Sequence, residues 1–260
     1  MSRIQQIFGQ KKHRVLNVYF TAGFPALNNT LTIMQSLAAA GADLIEIGMP
    51  YSDPLADGTV IQESSSKALA NGMTISLLFE QLKESRKHAA LQSTGIILMG
   101  YMNPVLQYGF EKFCAEAAAV GVDGLILPDL PEYEFEKEYG AIIKKYGLDF
   151  IFLVTPETTP ERVRHLDALS SGFLYAVSSS ATTGGATDFA AVDIYLERLQ
   201  KMNLKNPILV GFGIKDKSSF NAAVQFSNGA IIGSAFIKAL ADSKDIQQTT
   251  FNFITPIISV

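Results

Sequence analysis

The chain has 260 residues, of which 48% are hydrophobic and 18% are charged, a composition that supplies a large apolar core and excludes a disordered chain. Its formal net charge of −4 and the absence of a long basic run argue against nucleic acid as a partner. No apolar run approaches the roughly 20 residues that span a bilayer, the first dozen residues lack an apolar signal core, and there is one cysteine. We therefore expect a cytoplasmic protein.

Short β-branched segments alternate with longer helical patterns along the whole chain, which is typical of repeated βα units around a parallel sheet. Eight strands are predicted, at residues 15–20, 44–47, 96–99, 124–127, 150–154, 173–177, 208–210 and 230–232. Helices are predicted between and after them at 30–40, 75–90, 110–120, 132–146, 160–169, 190–202, 218–225 and 235–240, with an extra helix at 61–70.

Eight evenly spaced strands predict one α/β domain over residues 1–260, a (β/α)8 TIM barrel with extra helices. No linker rich in proline, glycine or serine divides the chain. An open doubly wound sheet is the alternative architecture, and it too would bind its ligand at the carboxyl ends of the strands. In either case, functional side chains are expected directly after strands.

The second predicted strand carries an acidic residue, Glu46, on the same face as Leu44. If that face lines the barrel, loss of hydration favours the neutral carboxylic acid and makes Glu46 a candidate proton donor. The alternative is a structural ion pair inside the barrel. No partner for such a pair is visible in the sequence.

A loop dense in turn-forming residues, 50–58, follows this strand and holds Asp53 and Asp57. Asp-Pro and Asp-Gly steps are ordinary turn sequences, so these aspartates alone indicate a turn. Asp57, however, lies 57 − 46 = 11 residues after Glu46, above the strand that carries it. Two carboxyl groups in different environments can divide the roles of acid and base.

Glycines follow the last two predicted strands, in Gly211-Phe212-Gly213 and Gly233-Ser234. In barrels this position commonly binds phosphate, because glycine lets backbone N–H groups approach the phosphate oxygens and a helix begins there. The Ser234 hydroxyl can donate a further hydrogen bond. Glycines at helix starts also occur for steric reasons alone, and the sequence leaves that alternative open.

Tyr175, in the sixth predicted strand, is followed by a segment rich in serine, threonine and glycine, 178–185, which is typical of a mobile lid or of a solvent loop without function. The three histidines, His13, His88 and His165, lack metal-ligand spacing, so no metal is predicted. The residues after the third strand, 101–104, are interpreted as loop packing.

Residues 42–58 resemble the signature of the tryptophan synthase alpha family. Similarity also covers, in chain order, segments 21–25, 99–104, 128–131, 183–184, 211–213 and 233–234. The resemblance implies a barrel lyase that cleaves indole-3-glycerol phosphate into indole and glyceraldehyde 3-phosphate. It implies no cofactor in this chain.

The resemblance also implies a role for each matching residue. Glu46 corresponds to the catalytic acid and base, Asp57 to the aspartate that contacts the indole N–H, and Tyr175 to a tyrosine near the reacting carbons. Tyr19 and Ile126 correspond to positions that flank the indole. The implied phosphate site consists of Gly184, Gly213, Gly233 and Ser234.

The chain departs from the family pattern at three positions. In the lid, Ala181 stands where glycine is usual, and Ser179 stands where arginine occurs in some members. Thr59 replaces a common proline. These changes spare the implied catalytic residues. We expect them to affect the stiffness of the lid and its coupling to a partner.

The implied partner is a beta subunit that carries pyridoxal phosphate, in an αββα heterotetramer. We expect loops 50–57 and 101–104 to contact it. Three alternatives remain from the sequence: another phosphate-binding barrel, such as an isomerase or epimerase, a non-catalytic regulatory barrel for the beta subunit, and a free-standing indole-producing lyase.

Overall fold

A computed structural model of the protein describes residues 2–54, 57–177, 189–211 and 213–259, and of residues 189–191 the backbone only. Within these ranges, nine strand segments form one parallel sheet. They are β1 (Val15–Thr21), β2 (Leu44–Gly48), β3 (Gly95–Met99), β4 (Gly124–Ile126), β5 (Asp149–Phe150), β6 (Leu153–Val154), β7 (Leu174–Val177), β8 (Ile208–Gly211) and β9 (Gly229–Ile232).

The sheet closes into a barrel in the order β5-β4-β3-β2-β1-β9-β8-β7-β6. Its two ends meet where β5 leads into β6, because Ile151 N–H donates to the Leu125 carbonyl on one side and Tyr175 N–H donates to the Phe152 carbonyl on the other. The strand predicted at 150–154 is therefore split, since its backbone changes hydrogen-bonding neighbour midway. The predicted (β/α)8 barrel is confirmed, and an open doubly wound sheet is excluded.

Helices cover the outside of the barrel. In the described residues the α-helices are α1 (Arg3–Gln10), α2 (Thr30–Ala40), α3 (Thr59–Ala70), α4 (Ile75–Leu82), α5 (Met102–Tyr108), α6 (Phe110–Ala119), α7 (Glu132–Glu134), α8 (Gly140–Lys145), α9 (Pro160–Leu169), α10 (Phe189–Lys201), α11 (Lys217–Ala223), α12 (Ser234–Ala241) and α13 (Ile246–Ile258). A π-helical segment, Phe135–Tyr139, joins α7 to α8. None of the helices in the described ranges is both long and apolar enough to cross a bilayer.

Three helices were not predicted from the sequence: α1, α5 and α13. The segment around Tyr101, interpreted as loop packing, leads directly into α5. The predicted helix at 75–90 is shorter than expected, because α4 ends at Leu82 and two 3₁₀ turns, Ser85–Lys87 and Ala89–Leu91, follow it.

Two hydrophobic clusters fill the fold. The larger one lies between the sheet and the helices and includes Val18 and Ile45, whose side chains point outward from the strands. The smaller one fills the barrel interior and consists of Ile4, Val15, Leu44, Ile97, Ile126, Ile151, Phe173, Leu209 and Ile231. That residues 1–260 form a single domain stays a prediction.

Helix α1 supplies the outermost member of the inner cluster. Ser2 and Gln5 form a capping box that fixes its start, with the Ser2 hydroxyl accepting from Gln5 N–H. The helix places Ile4 among the inner strand residues, where it is fully buried. In the described residues, side chains therefore fill the barrel interior toward the amino ends of the strands, and the interior space for a ligand lies toward the carboxyl ends.

Candidate active site

Glu46 lies on β2 with its side chain inside the barrel. Its neighbours in register are Tyr19 on β1 and Ile97 on β3. Leu44, two residues earlier, belongs to the inner cluster, so strand alternation places Glu46 on the interior face. The side chain is 0% exposed, and Asn17 Nδ2 donates a hydrogen bond of 2.6 Å to its Oε2.

The surroundings of Glu46 favour the neutral acid. Burial raises the pKa of the Glu46 carboxyl to about 8, and the hydrogen bond from Asn17 opposes this rise. No basic side chain of the described residues contributes to this pKa, which argues against the structural ion pair left open by the sequence. An acid that is protonated at neutral pH, yet releases its proton near pH 8, can act first as a general acid and then as a base.

Asp57 lies at the mouth of the barrel, just before Gly58, the N-cap of α3. The side chain is partly buried, and burial raises the pKa of its carboxyl while a hydrogen bond from the Tyr101 side chain opposes the rise. Gln62 Nε2 donates to the Asp57 backbone carbonyl at 2.7 Å, which fixes the loop to the first turn of the helix. The site thus holds two carboxyl groups with different hydrogen-bond donors.

Two tyrosine side chains lie beside the carboxyl groups. Each ring packs against the glycine that ends the next strand: Tyr19 against Gly48, and Tyr175 against Gly211, where an added Cβ would lie 2.6 Å from the tyrosine oxygen. Burial raises the pKa of both phenols, with smaller contributions from Asp57 and Glu46. Both hydroxyls are therefore neutral throughout the physiological range and available as hydrogen-bond donors.

These four side chains line one cavity of about 960 Å³ at the carboxyl ends of the strands. This volume lies in the range of sites that enclose a small organic molecule. Of the nine residues predicted for the site, seven line the cavity: Tyr19, Glu46, Asp57, Tyr175, Gly213, Gly233 and Ser234. Residues far apart in the sequence are brought together here, as expected for groups that follow the strands of a barrel.

The other two predicted residues lie elsewhere. Ile126 is fully buried in the inner cluster and does not line the cavity; it is in register with Met99, which does. Gly184, together with the lid segment 178–185, lies outside the described residues.

The side of the cavity formed by β8 and β9 is suited to an anion. Gly233 precedes α12, and Ser234 and Ala235 form the start of that helix, ahead of Phe236 and Ile237, whose N–H groups donate back to the Gly233 carbonyl. The N–H groups of Ser234 and Ala235 have no acceptor within the helix, and both residues line the cavity at the positive end of the helix dipole. Gly213 completes this side.

Several cavity-lining residues were missed by the sequence analysis. Arg162, Lys215 and Lys238 add positive charge to the lining, and Arg162 also pairs with Glu132 at 3.3 Å. No sequence motif marks these cations, because they come from three separate helices and loops. Asn17 was detectable in principle, since it is a polar residue on the inward face of a buried strand.

The opposite side of the cavity is apolar. Strand order places β3 and β4 across the barrel from β8 and β9, and Met99 and Pro128 line the cavity there. The site therefore joins an apolar compartment to an edge suited to an anion, with Glu46 and Tyr175 between them. No group of three or more potential metal ligands occurs in the described part of the chain.

The sequence is similar to proteins of one family over almost its whole length. The family model described as "Tryptophan synthase alpha chain" matches residues 6–255. The tryptophan synthase alpha chain of Flavobacterium johnsoniae is 52% identical over 244 residues, which cover 94% of this chain and 95% of the relative. That of Parabacteroides distasonis is 52% identical over 241 residues, with 92% and 93% covered.

Solved structures agree with the sequence relatives. The tryptophan synthase subunit alpha from Legionella pneumophila superposes with a TM-score of 0.90 at 32% identity, covering 99% of this chain and 97% of that chain. A chain of tryptophan synthase from M. tuberculosis, in an aminoacrylate-bound form, superposes with a TM-score of 0.85 at 29% identity, covering 99% and 98%.

Proposed function

Because this chain belongs to the tryptophan synthase alpha chain family, it is the lyase that cleaves indole-3-glycerol phosphate into indole and glyceraldehyde 3-phosphate, and we propose that Glu46, Asp57 and Tyr175 carry out this cleavage. The observation that carries the proposal is the shared cavity, in which a buried carboxyl group with a pKa of about 8 lies between an apolar compartment and an anion-binding edge.

Glu46 acts twice in the proposed mechanism. The neutral acid donates its proton to C3 of the indole ring, which places a positive charge on the ring system. The resulting carboxylate accepts the proton of the hydroxyl on the adjacent glycerol carbon, the bond from that carbon to C3 breaks, and its electron pair returns to the ring. Indole keeps the donated proton, the glycerol carbon becomes an aldehyde, and Glu46 is neutral again.

Asp57 stabilises the intermediate charge. The carboxylate accepts a hydrogen bond from the N–H of the protonated ring, so it lowers the energy of the state in which the ring is cationic. The hydrogen bond from Tyr101 keeps the carboxylate form available despite partial burial. Tyr175, which lines the cavity and stays neutral, donates its hydroxyl toward the reacting carbons.

The phosphate and indole groups are held at opposite sides of the cavity. Gly213, Gly233 and Ser234 bind the phosphate through backbone N–H groups and the serine hydroxyl, with Gly184 as a further proposed contact and Lys215 and Lys238 as nearby cations. Tyr19 contacts the indole directly. Ile126 supports this compartment from the inner cluster through Met99.

We assign no cofactor to this chain, because the proposed chemistry uses side chains alone. The proposed partner is a beta subunit that carries pyridoxal phosphate, in an αββα heterotetramer. Its docking surface includes Tyr51 and Asn103, joined by a 3.0 Å hydrogen bond, and the Tyr51 ring lies 5.5 Å from that of Tyr101. A partner bound there would restrain Tyr101 and, through it, Asp57.

Indole release from indole-3-glycerol phosphate tests the proposal, measured for wild type, Glu46→Gln and Asp57→Asn with and without a beta subunit. We expect slow release by wild type alone, acceleration by the partner, and near-complete loss in Glu46→Gln under both conditions. Glu84→Gln is the matched control, since Glu84 is exposed and paired only with Lys87 among the described residues. Undiminished turnover by Glu46→Gln would remove this residue from the mechanism, and stimulation of the beta subunit by a wild type that releases no indole would support a regulatory barrel instead.

A further inference from the structure

A buried asparagine contacts the proposed catalytic acid from the neighbouring strand. Asn17 lies on β1, two residues before Tyr19 and on the same inward face. Its Nδ2 donates to Glu46 Oε2 at 2.6 Å, and both side chains are 0% exposed. The two residues form a buried polar pair at the boundary between the inner hydrophobic cluster and the cavity.

This asparagine is not explained by packing. Asn17 Oδ1 is buried without a hydrogen-bond partner among the described residues, which is unfavourable for folding. An aliphatic side chain at this inward position would extend the inner cluster. Val15, two residues earlier on the same face of β1, already belongs to that cluster. The unpaired Oδ1 destabilises the fold, whereas the Nδ2 group makes a short hydrogen bond to Glu46. This combination indicates that Asn17 has a role connected with Glu46.

The hydrogen bond distinguishes the two oxygens of the carboxyl group. Oε2 accepts from Asn17, whereas Oε1 has no partner among the described residues. The short contact between Asn17 Nδ2 and Oε2 already contains the amide hydrogen, so it has no room for a second hydrogen carried by Oε2. The proton of the neutral acid is therefore placed on Oε1, the oxygen without a hydrogen-bond partner among the described residues.

We propose that Asn17 is a positioning residue for Glu46: its amide fixes the carboxyl group and assigns the transferable proton to Oε1. This inference rests on the proposed role of Glu46 as the acid and base. When Glu46 has given up its proton, the same N–H stabilises the carboxylate, because a donor favours the charged form. Asn17 thus supports Glu46 in both protonation states of the cycle.

The other groups that face Glu46 do not supply this function. The phenols of Tyr19 on β1 and Tyr175 on β7 stay neutral, since burial raises their pKa values. The neighbour on β3, Ile97, is apolar. Asp57, before α3, titrates, but it is not among the causes of the raised Glu46 pKa. Among the described residues, Asn17 is the side chain that opposes that rise.

The test is a direct titration of the Glu46 carboxyl in the full chain, by infrared difference spectra against the matching Glu46→Gln protein, together with the pH profile of indole release. In Asn17→Leu we expect the Glu46 pKa to rise by about one to two pH units, because a hydrogen bond to a charged group is lost. We also expect kcat to fall about tenfold to a hundredfold with little change in KM, since the acid is no longer held in place.

Asn17→Asp keeps the shape of the side chain and provides the second variant. Two adjacent carboxyl groups share one proton, so we expect two separated titration steps in place of one. Asn206→Leu is the control, because it removes a part-buried amide that bonds Asp167 and the Ser170 carbonyl, away from the cavity lining. It should leave the Glu46 titration unchanged.

The outcomes separate the two proposals. An unchanged Glu46 pKa in Asn17→Leu, with a kcat no lower than that of Asn206→Leu, would overturn the positioning role. A shifted pKa in a protein whose wild type releases no indole would support the contact between Asn17 and Glu46 while overturning the proposed function.

Discussion

Tyr19 packs against Gly48 so closely that no larger residue fits at the end of β2: a Cβ there would overlap the tyrosine hydroxyl. The glycine of the Glu-Ile-Gly sequence is therefore required by the neighbouring strand. Gly48 leaves room for the phenol ring of Tyr19, which is in register with Glu46 across the β1–β2 pair.

Gly48→Ala should accordingly destabilise the protein and impair its activity. Tyr19 is buried and cannot move aside without displacing the cavity wall, so we expect a loss of about 1–3 kcal/mol in the free energy of unfolding and a reduced kcat/KM. Urea unfolding and indole release measure the two effects. Gly9→Ala is the control, since a Cβ there meets nothing within 4 Å; equal stability of the two variants would contradict the packing argument.

The raised pKa of Glu46 should make the fold less stable as the pH rises. The folded protein keeps the Glu46 proton up to about pH 8, whereas the unfolded chain releases it near 4.5. Between these values the folded state binds the extra proton, so its stability falls with increasing pH, by up to about 1.4 kcal/mol per pH unit. Below and above this window the contribution is constant.

Glu46→Gln removes this dependence. The difference in unfolding free energy between wild type and Glu46→Gln, measured by urea unfolding from pH 4 to 9, should change in favour of the variant across the window and then level off. Other titrating groups cancel in that difference. Parallel stability curves for the two proteins would show that the Glu46 pKa is not raised.

Tyr101→Phe should weaken catalysis through Asp57. The hydrogen bond from Tyr101 opposes the effect of burial, so its loss raises the pKa of the Asp57 carboxyl further and reduces the fraction of carboxylate. We expect the acid limb of the kcat/KM profile to move to higher pH and the rate at neutral pH to fall by about tenfold. Tyr133→Phe, at a residue 63% exposed, is the control; coincident profiles for all three proteins would remove Tyr101 from the site.

The barrel could be predicted from the sequence because its strands are short, apolar and separated by strong helical patterns. α2 and α9 begin and end as predicted, at Thr30–Ala40 and Pro160–Leu169. The split between β5 and β6 was not predictable, because residues 149–154 are a continuous apolar segment after Asp149, and only the change of hydrogen-bonding neighbour interrupts the strand.

The helices that escaped prediction lack the usual signals. α5 starts with Met-Asn-Pro, which is typical of a turn, and its start is fixed by a distant residue, Asp129, which accepts from Met102 N–H at 3.0 Å. α13 contains Pro256 and several threonines, which have low helix propensity. Burial of Thr250, Ile254 and Ile257 against the rest of the fold compensates for this. These contacts exist only after the chain has folded.

The candidate site shows the same division. Glu46 and the glycines after the last two strands carry local signals, whereas the link from Tyr101 to Asp57 and the cations at the mouth depend on how distant segments meet. Asn17 lies between these cases: its inward position follows from strand alternation, but its partner follows from the register of β1 with β2.

In the part of the chain that the structure describes, Ile4 and the rest of the inner cluster fill the barrel interior at the amino ends of the strands, so the interior opens at the carboxyl ends. Substrate must enter, and both products must leave, through the same opening above Glu46. Any protein surface that covers this opening during turnover decides whether free indole reaches the surrounding water or passes directly into the covering protein.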